Sequence, residues 1–129
     1  MGLSYTIDHD HELVLTRGWG ILRASDFQDL FCHLHADPAF VSDYRSLVDL
    51  REVTEIAMSS VGLNEAAATP IYHPGTRRAI VVASDSVYAT ALTYTAFNEG
   101  MGQLMSIFRD LESAQTWLDQ GNRSEEIDP

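Results

Sequence analysis

The sequence predicts an α/β protein: a single domain with a mixed, mostly parallel sheet of about five strands, an N-terminal antiparallel hairpin and about four helices. Three observations predict it. Apolar strand-like runs alternate with helix-period segments, and strands joined through helices pair in parallel. The first two strand-like segments are joined instead by a short polar turn, which favours an antiparallel hairpin. The run Ala79-Ile80-Val81-Val82-Ala83 is continuous and partly β-branched, as suits a strand covered on both faces. With 129 residues, 45% hydrophobic and 21% charged, the chain has the size and composition of one globular domain.

The elements follow in order. Leu3, Tyr5 and Ile7 alternate with polar residues, Asp8-His9-Asp10-His11 turns, and Leu13 and Leu15 resume the alternation to about Trp19-Gly20. Ser25 with Gln28 three residues on makes a capping box, and Phe27, Leu30, Phe31 and Leu34 follow at helical spacing. Asp37-Pro38 ends that helix. Ser46 to Leu50 is a short buried strand. Ser59 or Ser60 caps a second helix with Leu63, Ala66 and Ala67 on one face, closed by Pro70. After the strand at 79–83, Ser84-Asp85-Ser86 caps a third helix to about Gly100, with Tyr88, Ala91, Leu92 and Thr95 on its apolar face. Leu104 to Phe108 is the last strand. Asp110 caps a final helix carrying Leu111, Ala114, Trp117 and Leu118, stopped by Gly121. The domain is expected over 1–121, and 122–129 as an acidic, flexible tail.

Charge excludes several functions. The 19 acidic and 8 basic residues give −11, and every basic residue is arginine. Without lysine there is no Schiff base and no phosphate-loop lysine. The acidity argues against nucleic-acid and anionic-membrane partners. No apolar run reaches the ~18–20 residues of a membrane span. The lone Cys32 forms no internal disulfide and reads as a small buried hydrophobe in a reducing, cytoplasmic setting. Gly2 and Thr6 loosely fit a myristoylation motif, but no basic patch supplies a second anchor.

Chemical motifs are sparse. Asp8-His9-Asp10-His11-Glu12 is metal-like in composition, yet no third ligand follows nearby, and it reads as a solvated hairpin tip. His33 and His35 lie about 200° apart around a helix and cannot chelate one ion together. Cys32 and His33 point about 100° apart, which disfavours a catalytic dyad. No nucleophile elbow, dinucleotide fingerprint or zinc-protease motif is present, so no cofactor, no metal and no catalytic residue is expected. Arg77-Arg78 reads as a solvated strand end rather than an anion clamp. In open parallel sheets, ligands bind beyond the carboxyl ends of strands. Those ends carry Asp49 and Arg51, then Ser59 and Ser60, then Ser84 and Asp85, then Arg109, a candidate interaction edge.

Leu47-Val48-Asp49-Leu50-Arg51-Glu52-Val53-Thr54-Glu55-Ile56, followed by Ser59-Ser60-Val61-Gly62-Leu63, resembles the strand, loop and helix start of STAS domains of the SpoIIAA-like anti-sigma-factor-antagonist type. The order of elements is similar over most of the chain. The ending Phe108-Arg109-Asp110-Leu111-Glu112 to Leu118 also resembles SpoIIAA-like proteins of the wider STAS/SEC14-like group, many without an assigned function. The resemblance implies Ser59 or Ser60 as a phosphorylated switch read by a kinase- or regulator-like partner. Two features depart from the pattern: Ala57 and Met58 replace the acidic residue before the serines, and Val61 is inserted before Gly62.

Two binding roles are therefore expected ahead of an enzyme. One is a non-enzymatic regulatory or interaction module using the serine edge. The alternative is a SEC14-like carrier of a small apolar ligand or lipid, with Phe27, Phe31, Tyr88, Tyr94 and Phe97 around a pocket; that role asks for a cavity of at least ~300 Å³. Trp19-Gly20-Ile21-Leu22 offers an apolar surface for a homodimer.

Overall fold

The computed structural model describes residues 2–68 and 71–127, except for the side chains of Ala67 and 121–127. The elements run β1 (Leu3–Asp8), β2 (Leu13–Arg23), α1 (Ala24–Ala36), β3 (Arg45–Ala57), α2 (Ser60–Ala68), β4 (Arg77–Val82), α3 (Asp85–Gly100), β5 (Leu104–Phe108) and α4 (Leu111–Ile127). The five strands form one sheet in the order β1-β2-β3-β4-β5. β1 pairs antiparallel with β2; all other pairs are parallel. The fold class read from the sequence is the one observed.

The strand order explains the layers. From β2 to β5 each crossover moves one position the same way across the sheet. Right-handed crossovers that all move in one direction put their helices on one face. α1 and α3 accordingly pack on the face carrying Leu3, Leu22, Leu50, Val53, Ile80 and Val82. α2 lies against α3 on that side. α4 follows the last strand and covers the opposite face, where Ala114 and Leu118 pack on Leu47, Ala79 and Val81.

Several expected boundaries move. β3 is thirteen residues long, not five. Its far half pairs with β2 alone, because β4 stops at Val82. Two register shifts, between Arg17 and Trp19 and between Gly20 and Ile21, each give β3 one extra residue. Its inward side chains then fall at Leu50, Val53 and Ile56, three apart, a spacing that hides a strand from period-two reading. Gly20 takes the left-handed φ of 71° beside the second shift.

The start of α1 is capped by Arg23 rather than Ser25, with the Arg23 amide donating to Asp26 Oδ2 at 2.8 Å. Cys32 is exposed, because Leu30 and Leu34 take the inward positions of that helix. On α3 the buried line is Val87, Ala91, Thr95 and Asn98, which leaves Leu92 49% exposed. Ser84 and Asp110 cap as expected, accepting from the amides of Val87 (3.1 Å) and Ser113 (2.8 Å). Gly121 does not stop α4, which runs on to Ile127. Pro70 and the last two residues of the tail lie outside the described residues. In the proposed dimer segment Trp19 and Ile21 are exposed, whereas Leu22 is fully buried.

Gly18 is the point where β2 meets the core most closely. A Cβ there would lie 2.8 Å from Leu50 Cδ2 and 3.1 Å from both Leu3 Cδ2 and Val53 Cγ2. Gly18→Val is expected to destabilise the fold by about 1–3 kcal/mol through overpacking, measured by urea denaturation.

Candidate functional site

The expected strand-end edge divides into separate parts. Asp49 and Arg51 lie inside β3, not after it. They bind each other, with Arg51 Nε donating to Asp49 Oδ1 at 2.9 Å and Nη2 to Oδ2 at 2.9 Å. Asp49 lines an open groove on the α4 side of the sheet with Leu15, Arg17, Leu47, Leu111 and Gln115. Arg17 pairs beside it with Glu52 and stacks on Trp19.

Ser84, Asp85 and Arg109 do come together. Arg109 donates to Asp85 Oδ1 at 2.9 Å and to the Ala83 carbonyl at 3.0 Å, with its guanidinium 4.5 Å from the Tyr88 ring centre. Ser59 and Ser60 are exposed at the start of α2, where Ser59 Oγ accepts from the Gly62 amide at 3.1 Å. Among the described residues, no hydrogen bond or ion pair ties either serine to Asp49, Arg51 or Arg109. Ligand crevices in open parallel sheets form where the strand order reverses. This order never reverses among the parallel strands, so the strand ends form no such crevice.

An apolar hollow, partly open to solvent, lies elsewhere, between the sheet and α1, α2 and α3. Its volume is about 70 Å³. Val48, Leu50, Ile80 and Met105 form its floor; Phe27, Leu30 and Phe31 of α1, Leu63 and Ala66 of α2, and Ala91 and Tyr94 of α3 form its walls. Of the five aromatics expected around a pocket, Phe27, Phe31 and Tyr94 line it. Tyr88 instead sits under Arg109.

Arg78 also lines this hollow, and it corrects the reading of Arg77-Arg78 as a solvated pair. Arg78 is 5% exposed. It shares a face with Ile80 and Val82, and its register neighbours are Ser46 on β3 and Met105 on β5. Its Nη1 donates to Asn98 Oδ1 at 3.3 Å and to Gln103 Oε1 at 3.5 Å, and the guanidinium lies 4.6 Å from the Tyr72 ring centre. Nε has no hydrogen-bond partner. Arg77, one residue earlier, faces the other way, stacking on Trp117 and donating to its carbonyl at 2.9 Å.

The other polar groups are settled locally. His11 Nδ1 pairs with Asp8 at 2.8 Å and His9 Nδ1 with the Tyr44 hydroxyl at 2.8 Å. No three metal-ligating side chains converge among the described residues. The Tyr5 hydroxyl donates to Asp37 at 2.7 Å, which raises the phenol and lowers the carboxyl from their ordinary values.

No family model and no curated protein matches the chain. Among solved structures, the chain is similar over most of its length to an uncharacterized protein of the DUF3478 family from Shewanella loihica PV-4, described as having a SpoIIAA-like fold. It is 16% identical, covers 91% of this chain and 94% of its own, and superposes with a TM-score of 0.61. This chain has a SpoIIAA-like fold. The agreement is one of fold, and it covers 91% of the chain. Within this SpoIIAA-like fold no helix among the described residues is long and apolar enough to cross a membrane.

The Asp49–Arg51 pair has a pH signature. Hydrogen bonds from the Arg51 side chain hold the Asp49 carboxyl below its ordinary 3.8. Its stabilisation is present above that value and lost as pH falls through the lowered one. Asp49→Asn is therefore expected to cost less than about 1 kcal/mol at pH 7, because Arg51 is half exposed, and to flatten the loss of stability below about pH 4. Thermal melts across pH 2–7 check both.

Proposed function

We propose that this protein is a non-enzymatic binding module whose ligand is a small apolar molecule held between α1, α2, α3 and the sheet. The observation that carries the reading is the hollow itself, with its almost wholly apolar lining. At roughly 10–15 Å³ per water-sized sphere, 70 Å³ is room for about five to seven small groups. That falls short of the ~300 Å³ that the SEC14-like carrier role asks for. A small molecule, or one end of a longer one, fits the closed form. A longer ligand requires a wall to move, and α2 is the wall with least to lose: Leu63 is its one buried side chain among those described. The expected readout is a shift of the amide signals of α1–α3 with millimolar benzene, an uncharged apolar probe. Absence of any shift, together with no co-purifying small molecule in native mass spectrometry, refutes the reading.

The regulatory reading retains one specific support: Ser59 and Ser60 are exposed at the start of the same α2 that walls the hollow. A phosphoryl group there would add about two negative charges beside free amides at a helix N-terminus. Phosphorylation would then act on the wall itself. Ser59→Asp and Ser60→Asp are expected to change the affinity for benzene several-fold; unchanged affinity in both, with unmodified serines in protein from the native host, counts against the switch.

A further inference from the structure

We propose that the hollow is built for a ligand with a carboxylate head and an apolar body, and that Arg78 binds the carboxylate. This rests on the binding reading above and adds the chemistry of the ligand. An arginine stays charged in proteins, and a buried charge is costly unless it is paired. The chain has 19 acidic residues, yet no carboxylate among the described residues lies within 4 Å of the Arg78 guanidinium. What it has instead is weak: two amide oxygens at 3.3 and 3.5 Å, beyond the usual 2.7–3.2 Å, and the face of Tyr72. Burial pushes the Tyr72 phenol up from its ordinary 10.0, so it stays neutral and is no counter-charge.

Two unused groups stand side by side on this wall. Arg78 Nε makes no hydrogen bond. Ser46, its register neighbour on β3, is 1% exposed; its Oγ makes no well-formed hydrogen bond, though its approach to the Tyr72 phenol opposes that rise. Both residues line the hollow. A carboxylate accepts from a guanidinium edge and a hydroxyl together, and it returns the missing charge. One arginine matches one negative charge. A phosphate dianion calls for a second cation or a helix N-terminus, and no other basic residue lines the hollow among the described residues. The apolar floor and walls then take the first few carbons of the body, and a longer chain enters as the α2 wall moves.

The test titrates the full chain with hexanoate and with 1-hexanol at pH 7, followed by amide chemical shifts. The two probes share a chain and differ in the head. Hexanoate is expected to bind roughly tenfold or more tightly than 1-hexanol, as befits a charged hydrogen bond. Arg78→Met should bring hexanoate down to or below the level of 1-hexanol, so that the preference for the acid disappears. Ala91→Leu, which fills the hollow, should weaken both. Equal affinity of the two probes for the unmodified chain overturns the assignment of Arg78 and leaves the binding reading standing. Binding of neither probe overturns both. The comparison on the unmodified chain decides the matter even where Arg78→Met fails to fold.

Discussion

The handedness of the crossovers governs this molecule. Once β2 to β5 follow one another across the sheet in chain order, right-handed connections leave α1, α2 and α3 no face but one. The buried apolar side chains of α1 and α3, Leu30, Val87 and Ala91 among them, meet on that face around Leu50, Ile80, Val82 and Met105. The opposite face receives only α4, and so β1 and β2 present a largely open surface there, with Arg17, Trp19 and Ile21 exposed. The same ordering removes the crevice that a reversal of strand order would open beyond the strand ends. An interior hollow under three helices, rather than an edge, is what this topology has to offer a ligand.

Charge is handled differently on the two sides of the sheet. On the surface, Arg17, Arg51 and Arg109 each find a carboxylate of this chain, Glu52, Asp49 and Asp85 respectively. Arg45, largely covered, reaches Asp119 and two backbone carbonyls. Surface pairs of this kind contribute little to stability and leave no spare charge for a partner. Arg78 alone of these is placed where pairing matters most and is met there by neutral groups. Among the described residues, an acidic chain meets its most buried arginine with neutral groups: two amide oxygens and the Tyr72 ring.

Much of the fold was legible because local signals agreed with one another. The hairpin, the caps at Ser84 and Asp110, the inward lines Leu30–Leu34 and Ala114–Leu118, and the central strand all combine a period with a start or a stop. Misreadings arose where one signal stood alone. The far half of β3 was hidden because two bulges turn its inward spacing from two to three. Gly121 is a poor helix former, yet it is carried within α4. Cys32 and Leu92 show that an apolar residue inside a helix says little until its face is known. The site was harder still. Arg78 stands two before Ile80 and four before Val82, so strict alternation puts it on their side of the strand. That signal was present, but the prior that arginine seeks water outweighed it. Ser59 and Ser60 were singled out as helix caps and through resemblance, and they stand exposed at the start of α2, whose Leu63 and Ala66 line the hollow.

That coincidence on α2 connects the two binding readings through one mechanical element. α2 walls the hollow with Leu63 and Ala66, starts beside two exposed serines, and has Leu63 as its one buried side chain among those described. A helix so lightly held moves at low cost, since local stability follows the apolar area an element buries. A ligand that fills the hollow adds contacts to α2 from below, whereas added charge at its first turn acts from its exposed end. Each can bias the same wall, and thermodynamic coupling between them is then reciprocal: whatever phosphorylation does to ligand affinity, the ligand does to the stability of the phosphorylated form. The open sheet face on the α4 side shares no wall with the hollow, so a partner docking there would be coupled to the ligand only through the strands themselves.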